Sequence, residues 1–143
     1  MRMTASRRVA RPAPEVFEFF SDATNNPHWQ AGMVSCTWTT DPPIRVGSRY
    51  GQVARFMGRE IRSRFEVTEY EPGRRIRIET LESTFPIQVN RRVEPIDAAS
   101  CMVNAEITGG PRGIWRLFEP LMARRAQKSV DADYDRLKEL LES

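Results

Sequence analysis

Residues 114–141, IWRLFEPLMARRAQKSVDADYDRLKELL, decide the fold because their large apolar side chains recur at every third or fourth position. This stripe consists of Trp115, Phe118, Met122, Ala126, Val130, Tyr134, Leu137 and Leu141. Such spacing predicts one long amphipathic helix with a single buried face. Because proline is not tolerated inside a regular helix, we expect either a kink at Pro120 or a short helix over 114–118 followed by a main helix starting near Pro120.

The chain before this helix alternates apolar and polar residues with the period of two that is typical of strands. The alternating runs are 33–39, 47–56, 61–67, 75–81, 85–89 and 101–107. Between them lie turn formers, among them Pro42, the Pro72–Gly73 pair and a loop expected over 95–99. Six consecutive strands joined by short connections predict an antiparallel sheet.

The N-terminal segment adds one more strand and two small helices. Arg7 to Ala10 alternate briefly, Pro14 suits the first turn of a helix that runs to Phe20, and 25–30 predicts a second helical turn presenting Trp29. The order of elements predicts an α+β fold, with a curved antiparallel sheet of about seven strands around the long C-terminal helix. At 143 residues, the chain is expected to form a single domain over 1–143.

Composition and charge restrict the partners and the compartment. The chain has neither a signal-peptide core nor a run of apolar residues long enough to span a bilayer, so we expect a cytoplasmic protein without integral membrane association. Cys36 and Cys101 lie far apart in the sequence and are expected to be small buried hydrophobes. The net charge of +3 suggests nucleic acid, but the strand arginines alternate with acids on one face and the aromatic residues fall on the other. A basic stripe with interleaved aromatics is missing from this pattern, so we expect no nucleic-acid partner.

A sheet that curls around one helix contacts it along only part of its length, and the remaining volume is either filled by large side chains or left as a pocket. The phase of the strands points several aromatics inward, next to the small or polar residues Gln52, Ser63 and Ala105. We therefore expect an internal cavity for a ligand. The candidate ligand-binding residues are Trp29, Trp38, Tyr50, Gln52, Phe56, Phe65, Phe85, Trp115, Phe118 and Met122.

Four segments carry a resemblance to a known family. They are PEVFEFFSD over 14–22, NPHW over 26–29, VTEYEPGRR over 67–75 and FEPLMARR over 118–125. In this order and spacing they resemble the polyketide cyclase/dehydrase-like branch of the START-like (SRPBCC) superfamily. The resemblance implies a helix-grip fold with a hydrophobic cavity for lipids, polyketides, quinones or similar molecules, and it implies no particular reaction.

The sequence contains few candidate catalytic groups. His28 is the only histidine, no glycine-rich phosphate loop follows a strand, and no carboxylate cluster has metal spacing, so we expect neither a metal nor another cofactor. The catalytic residues stay unknown. Chemistry of the cyclase type would need a polar group inside the cavity. The available candidates are Tyr50, Gln52, Arg55, Asn90, Arg92 and Tyr134.

Three hypotheses of function follow. The first is binding or transport of a small hydrophobic ligand such as a lipid, polyketide or quinone in the internal cavity. The second is a cyclase/dehydratase-like enzyme that uses polar cavity residues and predicts a deeply buried ionisable or phenolic group. The third is a protein-interaction module, which would need a large apolar surface patch. A homodimer through the sheet edge or the small helices is an open alternative.

Overall fold

A computed structural model of the chain describes residues 1–56, 58–83, 85–110 and 113–143, with the backbone alone for 113–115. Seven strands form one sheet in which every neighbouring pair is antiparallel, in the order β1-β7-β6-β5-β4-β3-β2. The strands are β1 (Arg2–Val9), β2 (Met33–Trp38), β3 (Arg49–Phe56), β4 (Arg59–Glu71), β5 (Arg75–Glu82), β6 (Ile87–Asp97) and β7 (Ser100–Gly109). The predicted α+β fold with a curled seven-stranded sheet is confirmed.

The helices lie at the two places that the sequence indicates. Helix α1 (Ala13–Ser21), a 3-10 turn (Ala23–Asn25) and helix α2 (Asn26–Trp29) follow β1. After β7, a 3-10 helix (Gly113–Phe118) leads into the long helix α3 (Glu119–Glu142). Pro120 therefore stands in the first turn of α3, where no backbone N–H is needed, and the expected hand-over near this proline is confirmed.

Several strands are longer than the sequence predicts, among them β1, β4 and β6. β1 starts at Arg2 rather than at Arg7, because the whole segment pairs with β7 from Arg2↔Thr108 to Val9↔Cys101. The loop expected over 95–99 is wrong, since β6 continues past Pro95 to Asp97 with a register shift there. Pro95 is tolerated because β5 pairs with β6 only up to Arg92, so that the position of its missing N–H has no strand beside it.

The core lies between the inner face of the sheet and the helices. From the inner face come Val67, Ile78, Val89, Val103 and other residues of the same phase, all buried. Helix α1 contributes Val16, Phe17 and Phe20. Helix α3 is buried only through Val130, Tyr134 and Leu137, whereas every side chain from Glu119 to Ser129 is half-buried or exposed. The C-terminal half of α3 therefore anchors the helix to the sheet.

Helix α3 also covers the free edge of β1. The side-chain amide of Gln127 accepts a hydrogen bond from the Thr4 N–H at 3.3 Å and donates one to the Thr4 carbonyl at 2.9 Å, as a further strand would. Further along, Arg7 donates to Asp135 at 2.6 Å. The Gln127 contacts satisfy backbone groups of an edge strand, and together with the Arg7–Asp135 pair they fix the helix across the sheet.

Candidate functional site

A cavity of about 90 Å³ lies between the inner face of the sheet, helix α2 and the C-terminal half of α3. Its apolar wall consists of Trp29, Tyr50, Phe65, Ile78, Ile87, Val89, Ile107 and Val130. Its polar wall consists of Asn26, Gln30, Gln52, Arg91, Asp133 and Tyr134. Ligand sites usually measure roughly 300–1,000 Å³, so this cavity fits a small molecule or one end of a larger one.

Arg91 is the chemically most distinctive group of the cavity. Its side chain is buried, with 8% of the residue surface exposed, and its Nε donates a 2.7 Å hydrogen bond to the Tyr134 hydroxyl on α3. The guanidinium carbon lies 5.0 Å from the centre of the Trp29 ring, within range of a cation–π contact. Trp29 and Tyr134 in turn meet edge to face at 5.1 Å. A buried cation is thus held between α2, β6 and α3.

The strand phase of β6 places Arg91 inside. Val89 and Val93 of the same strand are buried inward residues, and Arg91 lies between them with the same parity. The alternation along β6 would have predicted from the sequence that Arg91 faces inward. The candidates named from the sequence were instead its polar neighbours Asn90 and Arg92, so Arg91 was missed. The Arg92 side chain lies on the outer face, 3.7 Å from that of Glu94. Asn90 has the same strand phase as Arg92 and lies opposite Arg77 in the register of β5 and β6.

Burial dominates the electrostatics of the cavity. Burial alone would lower the pKa of Arg91, but the oxygens of Tyr134 and Tyr50 outweigh it, and the net shift is upward. Arg91 is therefore charged. Burial also raises the pKa of Tyr50, so this phenol is neutral at physiological pH. The Cys36 thiol, within electrostatic reach of Arg91, has its pKa raised by burial to about 11.

Asp133 is the one carboxylate that lines the cavity among the described residues. It accepts hydrogen bonds from the Ala31 N–H at 2.9 Å and from Arg136 Nη1 at 3.0 Å. Burial raises its pKa, and these two donors and the nearby Arg91 oppose the rise. Arg136 also donates to the Trp29 carbonyl at 2.9 Å, so Asp133 and Arg136 fix α2 to α3.

Several polar atoms of the α2 wall have no partner in the described part of the chain. Asn26 Oδ1, Trp29 Nε1 and Gln30 Nε2 are buried without a hydrogen bond. Unsatisfied buried polar atoms are uncommon in folded proteins, and they concentrate where a water molecule or ligand binds. Three of them beside Arg91 mark this end of the cavity as suited to a polar group.

Four of the ten predicted ligand-binding residues line the cavity, namely Trp29, Tyr50, Gln52 and Phe65. Tyr50 and Phe65 stack at 5.2 Å with an interplanar angle of 15°. Gln52 is half-buried, and the described residues provide no hydrogen-bond partner for its side chain. Tyr50, Gln52 and Phe65 form the β3–β4 side of the wall, and Trp29 belongs to α2.

The other predicted residues lie elsewhere. Trp38 packs behind Tyr50 at 5.2 Å and donates its indole N–H to Asp22 at 2.9 Å. Phe85 and Met122 are half-buried outside the lining. Phe56 and Phe118, expected to point into the core, are 48% and 54% exposed.

Phe56 and Phe118 are exposed because of where they lie along their elements, and not because of the face on which they lie. Phe56 shares the inward phase of Tyr50 but lies at the end of β3, opposite Arg59. Phe118 closes the 3-10 helix ahead of α3. The side chain of Trp115 lies outside the described residues.

The polar residues predicted as candidates for catalysis also fall into two groups, those that line the cavity and those that do not. Tyr50, Gln52 and Tyr134 line the cavity. Arg55 lies on the outer face, 3.7 Å from Glu60. His28 is exposed, and the described residues contain no group of three His, Cys, Asp or Glu side chains that could hold a metal ion.

Two surface features lie outside this cavity, and the first of them adjoins it at Ile87, which lines both. An open groove of about 690 Å³ runs along the Gly109 end of the sheet, where the polar residues Glu79, Gln88 and Thr108 line it. At the start of α3, Leu117 and Leu121 are exposed beside Phe118. No helix in the described part of the chain is both long and apolar enough to cross a membrane.

A curled antiparallel sheet, a long C-terminal helix across it and a partly polar cavity between them define a START-like helix-grip protein. Residues 1–142 match the model of the family described as polyketide cyclase/dehydrase and lipid transport. The chain belongs to this family. None of the curated proteins with which the sequence was compared matches it.

Solved structures with the same fold cover nearly the whole chain. A START superfamily protein from Mycobacterium smegmatis has a TM-score of 0.84 at 12% identity, covering 99% of this chain and 97% of its own. A protein from Thermus thermophilus has a TM-score of 0.83 at 19% identity, with the same coverage. The Zhui aromatase/cyclase from a Streptomyces species has a TM-score of 0.78 at 13% identity, covering 99% and 93%. At these identities the likeness shows a shared fold.

Proposed function

We propose that this protein binds a small hydrophobic molecule in the cavity between the sheet and α3. The observation that carries the proposal is the cavity itself, with an apolar wall from five strands and α3 and a polar wall around Arg91. The family description includes both cyclases and lipid transport, and it fits this use of the cavity.

The layout of the cavity indicates how a ligand would lie. Arg91 and Ile87 stand four residues apart on β6, which corresponds to about 13 Å along a strand. Ile78 and Ile107 flank Val89 on the two neighbouring strands, so the Ile87 end is apolar. The start of α3 lies at the same end, because Glu119 and Ile87 line the same outer groove, and α3 is loosely packed from Glu119 to Ser129. The ligand enters beneath this half of the helix, and its displacement provides the volume that a larger molecule needs.

Adjacent residues on β6 provide a test of the proposal. Val89 is buried and lines the cavity, whereas Gln88 faces the outer groove. We expect wild-type protein to bind the neutral fluorescent probe N-phenylnaphthylamine. Val89→Phe should weaken this binding roughly tenfold or more, because the larger side chain fills the volume that the ligand needs. Gln88→Phe should leave it unchanged.

Fluorescence titration measures the three affinities, and circular dichroism verifies that each variant is folded. If Gln88→Phe removes binding and Val89→Phe does not, the ligand lies in the outer groove and the proposal is wrong. Absence of binding to the wild-type protein would count equally against it.

A second candidate function is a cyclase/dehydratase-like reaction, and the observation that favours it is the buried Arg91–Tyr134 pair. In such a reaction a proton leaves the carbon next to a carbonyl, the enolate carbon attacks a second carbonyl of the same molecule, and the new alkoxide takes up a proton. Loss of this hydroxyl together with a second proton from the attacking carbon then releases water. Arg91 would stabilise the enolate oxygen, and the Tyr134 hydroxyl would exchange the proton. Ligand recovered after incubation should then have lost the mass of water, whereas a binding protein returns it unchanged.

A further inference from the structure

We propose that the ligand of this cavity carries an acidic group, a carboxylate or an ionised phenol or enol, which binds Arg91 at the α2 end while the apolar remainder extends toward Ile87. This inference rests on the proposed function and specifies the chemical class of the ligand.

Arg91 carries a positive charge in a buried position. Bringing a cation from water into a protein interior costs several kcal/mol unless an anion compensates for it. The hydrogen bond and the ring contact of Arg91 are with a hydroxyl and an indole, since Nε reaches Tyr134 and the guanidinium faces Trp29. No carboxylate of the described residues forms an ion pair with it. The folded protein therefore holds a buried positive charge that an anionic ligand would neutralise.

Arg91 also has N–H donors that no described residue uses. A guanidinium has five N–H groups, of which Nε–H is bound to Tyr134. The structure shows no hydrogen bond from Nη1 or Nη2 to another described residue, and Arg91 lines the cavity. Two parallel N–H groups on one guanidinium match a carboxylate in the bidentate geometry that makes such pairs strong.

The ionisable groups around Arg91 include one carboxylate, that of Asp133. Asp133 lines the same cavity and the charge of Arg91 acts on it, but its Oδ1 accepts hydrogen bonds from the Ala31 N–H and from Arg136, which is its ion-pair partner. Tyr50, Tyr134 and Cys36 are the other groups within electrostatic reach of Arg91, and the pKa of Tyr50 and that of Cys36 lie above their ordinary values. The Tyr50 phenol and the Cys36 thiol therefore supply no negative charge near pH 7.

The size of the cavity agrees with a head group. About 90 Å³ is the volume of roughly three water molecules, enough for a carboxylate and the first carbons behind it. The N–H donors Trp29 Nε1 and Gln30 Nε2, both buried without a partner, belong to residues that line the cavity. A polar group bound here would have both a charge partner and further hydrogen-bonding groups.

The experiment compares an acid with its neutral ester. The probes are naphthoic acid and methyl naphthoate, measured near pH 7 by displacement of N-phenylnaphthylamine or by calorimetry. Wild-type protein should bind the acid about tenfold or more tightly than the ester, as one charge-assisted pair in a desolvated site provides. Arg91→Met should remove this preference, and Arg91→Lys, which keeps the charge without the paired N–H groups, should keep part of it.

Arg92→Met is the matched control, because Arg92 is the next residue along β6 but lies on its outer face. This variant should leave the preference for the acid intact. Retained binding of the neutral probe by Arg91→Met shows that this variant still has its cavity. Equal affinity for acid and ester in the wild type, or an equal loss in Arg92→Met, would overturn the inference while leaving the proposed function in place. Failure of all three compounds to bind would remove both.

Discussion

Trp29 is a single residue that links the three elements around Arg91, namely α2, β6 and α3. It is fully buried, its ring meets Tyr134 edge to face and faces Arg91, and its carbonyl accepts a hydrogen bond from Arg136. One side chain thus packs against α3 and β6 at once. The position of Arg91 depends on Trp29 and Tyr134 together, and the two aromatic residues give the buried cation its orientation.

Asp22 is a second residue on which local structure depends, and it leads to a pH prediction. Its Oδ1 accepts hydrogen bonds from Thr24 N and Thr24 Oγ1 at 3.1 and 2.7 Å, and from the Trp38 indole at 2.9 Å. Burial acts to raise the pKa of Asp22, but these three donors outweigh it, so the pKa lies below its ordinary value of 3.8. The ionised form therefore stabilises the folded state at neutral pH. This stabilisation is lost as the pH falls through the folded-state pKa.

We expect Asp22→Ala to lower the free energy of unfolding by about 1 kcal/mol at pH 7, the usual value of a helix cap. At about pH 3 and below, the difference from the wild type should shrink, because the wild-type carboxyl becomes protonated. Urea unfolding at the two pH values measures both differences. Asp41→Ala, an exposed loop variant, should show little effect at either pH. A difference that stays constant or grows in acid would contradict this role of Asp22.

Residue by residue, the sequence predicts the face of a side chain better than its depth. Trp29, Tyr50, Gln52 and Phe65 reach the cavity as their phase predicts, but Phe56 has the same phase as Tyr50 and is exposed. The period of two determines which side of a sheet a residue occupies. Whether the helix covers that point depends on lengths and crossing positions that no local pattern contains.

At the scale of elements, the two halves of α3 differ in how deeply their side chains are buried. Val130, Tyr134 and Leu137 anchor the C-terminal half, whereas no side chain from Glu119 to Ser129 is buried. Few buried contacts mean low local stability. The N-terminal half is thus the part of the helix that can move aside for a ligand without loss of the fold.

Leu137 and Leu140 form a matched pair that tests this division. Leu137 is 1% exposed and Leu140 is 40% exposed on the same helix. We expect Leu137→Ala to lower the free energy of unfolding by about 3 kcal/mol, because it removes buried methyl groups and leaves a cavity. Leu140→Ala should cost well under half of that. Thermal and urea unfolding measure both, and equal effects would show that the C-terminal half of α3 is not the anchor.

The elements themselves follow closely from the sequence. Alternation in the strands, the helical stripe from Trp115 to Leu141 and the position of Pro120 predict the architecture and the start of α3. The extension of β1 to Arg2 and of β6 past Pro95 could not be predicted in this way, because each depends on pairing with a neighbouring strand. Pro95 indicates a break until β5 is known to end its pairing at Arg92.

At the scale of the whole molecule, the sheet and α3 act as two walls that do not meet along their full length. A chain of this size can bury a continuous core, and most of its inner face does so. The remaining gap is lined on one side by aliphatic residues of β5, β6 and β7, and on the other by Arg91 and its neighbours. Its volume of about 90 Å³ could not be predicted from the sequence, because it is a small difference between two large packed surfaces.

The most direct test of the account is a methyl NMR titration of the isoleucine- and valine-labelled protein with N-phenylnaphthylamine. We expect chemical-shift changes and intermolecular NOEs at the cavity methyls of Ile78, Val89, Ile107 and Val130. The exposed methyls of Val34, Val46 and Ile96 serve as internal controls and should not change. Changes confined to those exposed methyls, or no saturable change at all, would show that the space between the sheet and α3 is not a ligand site.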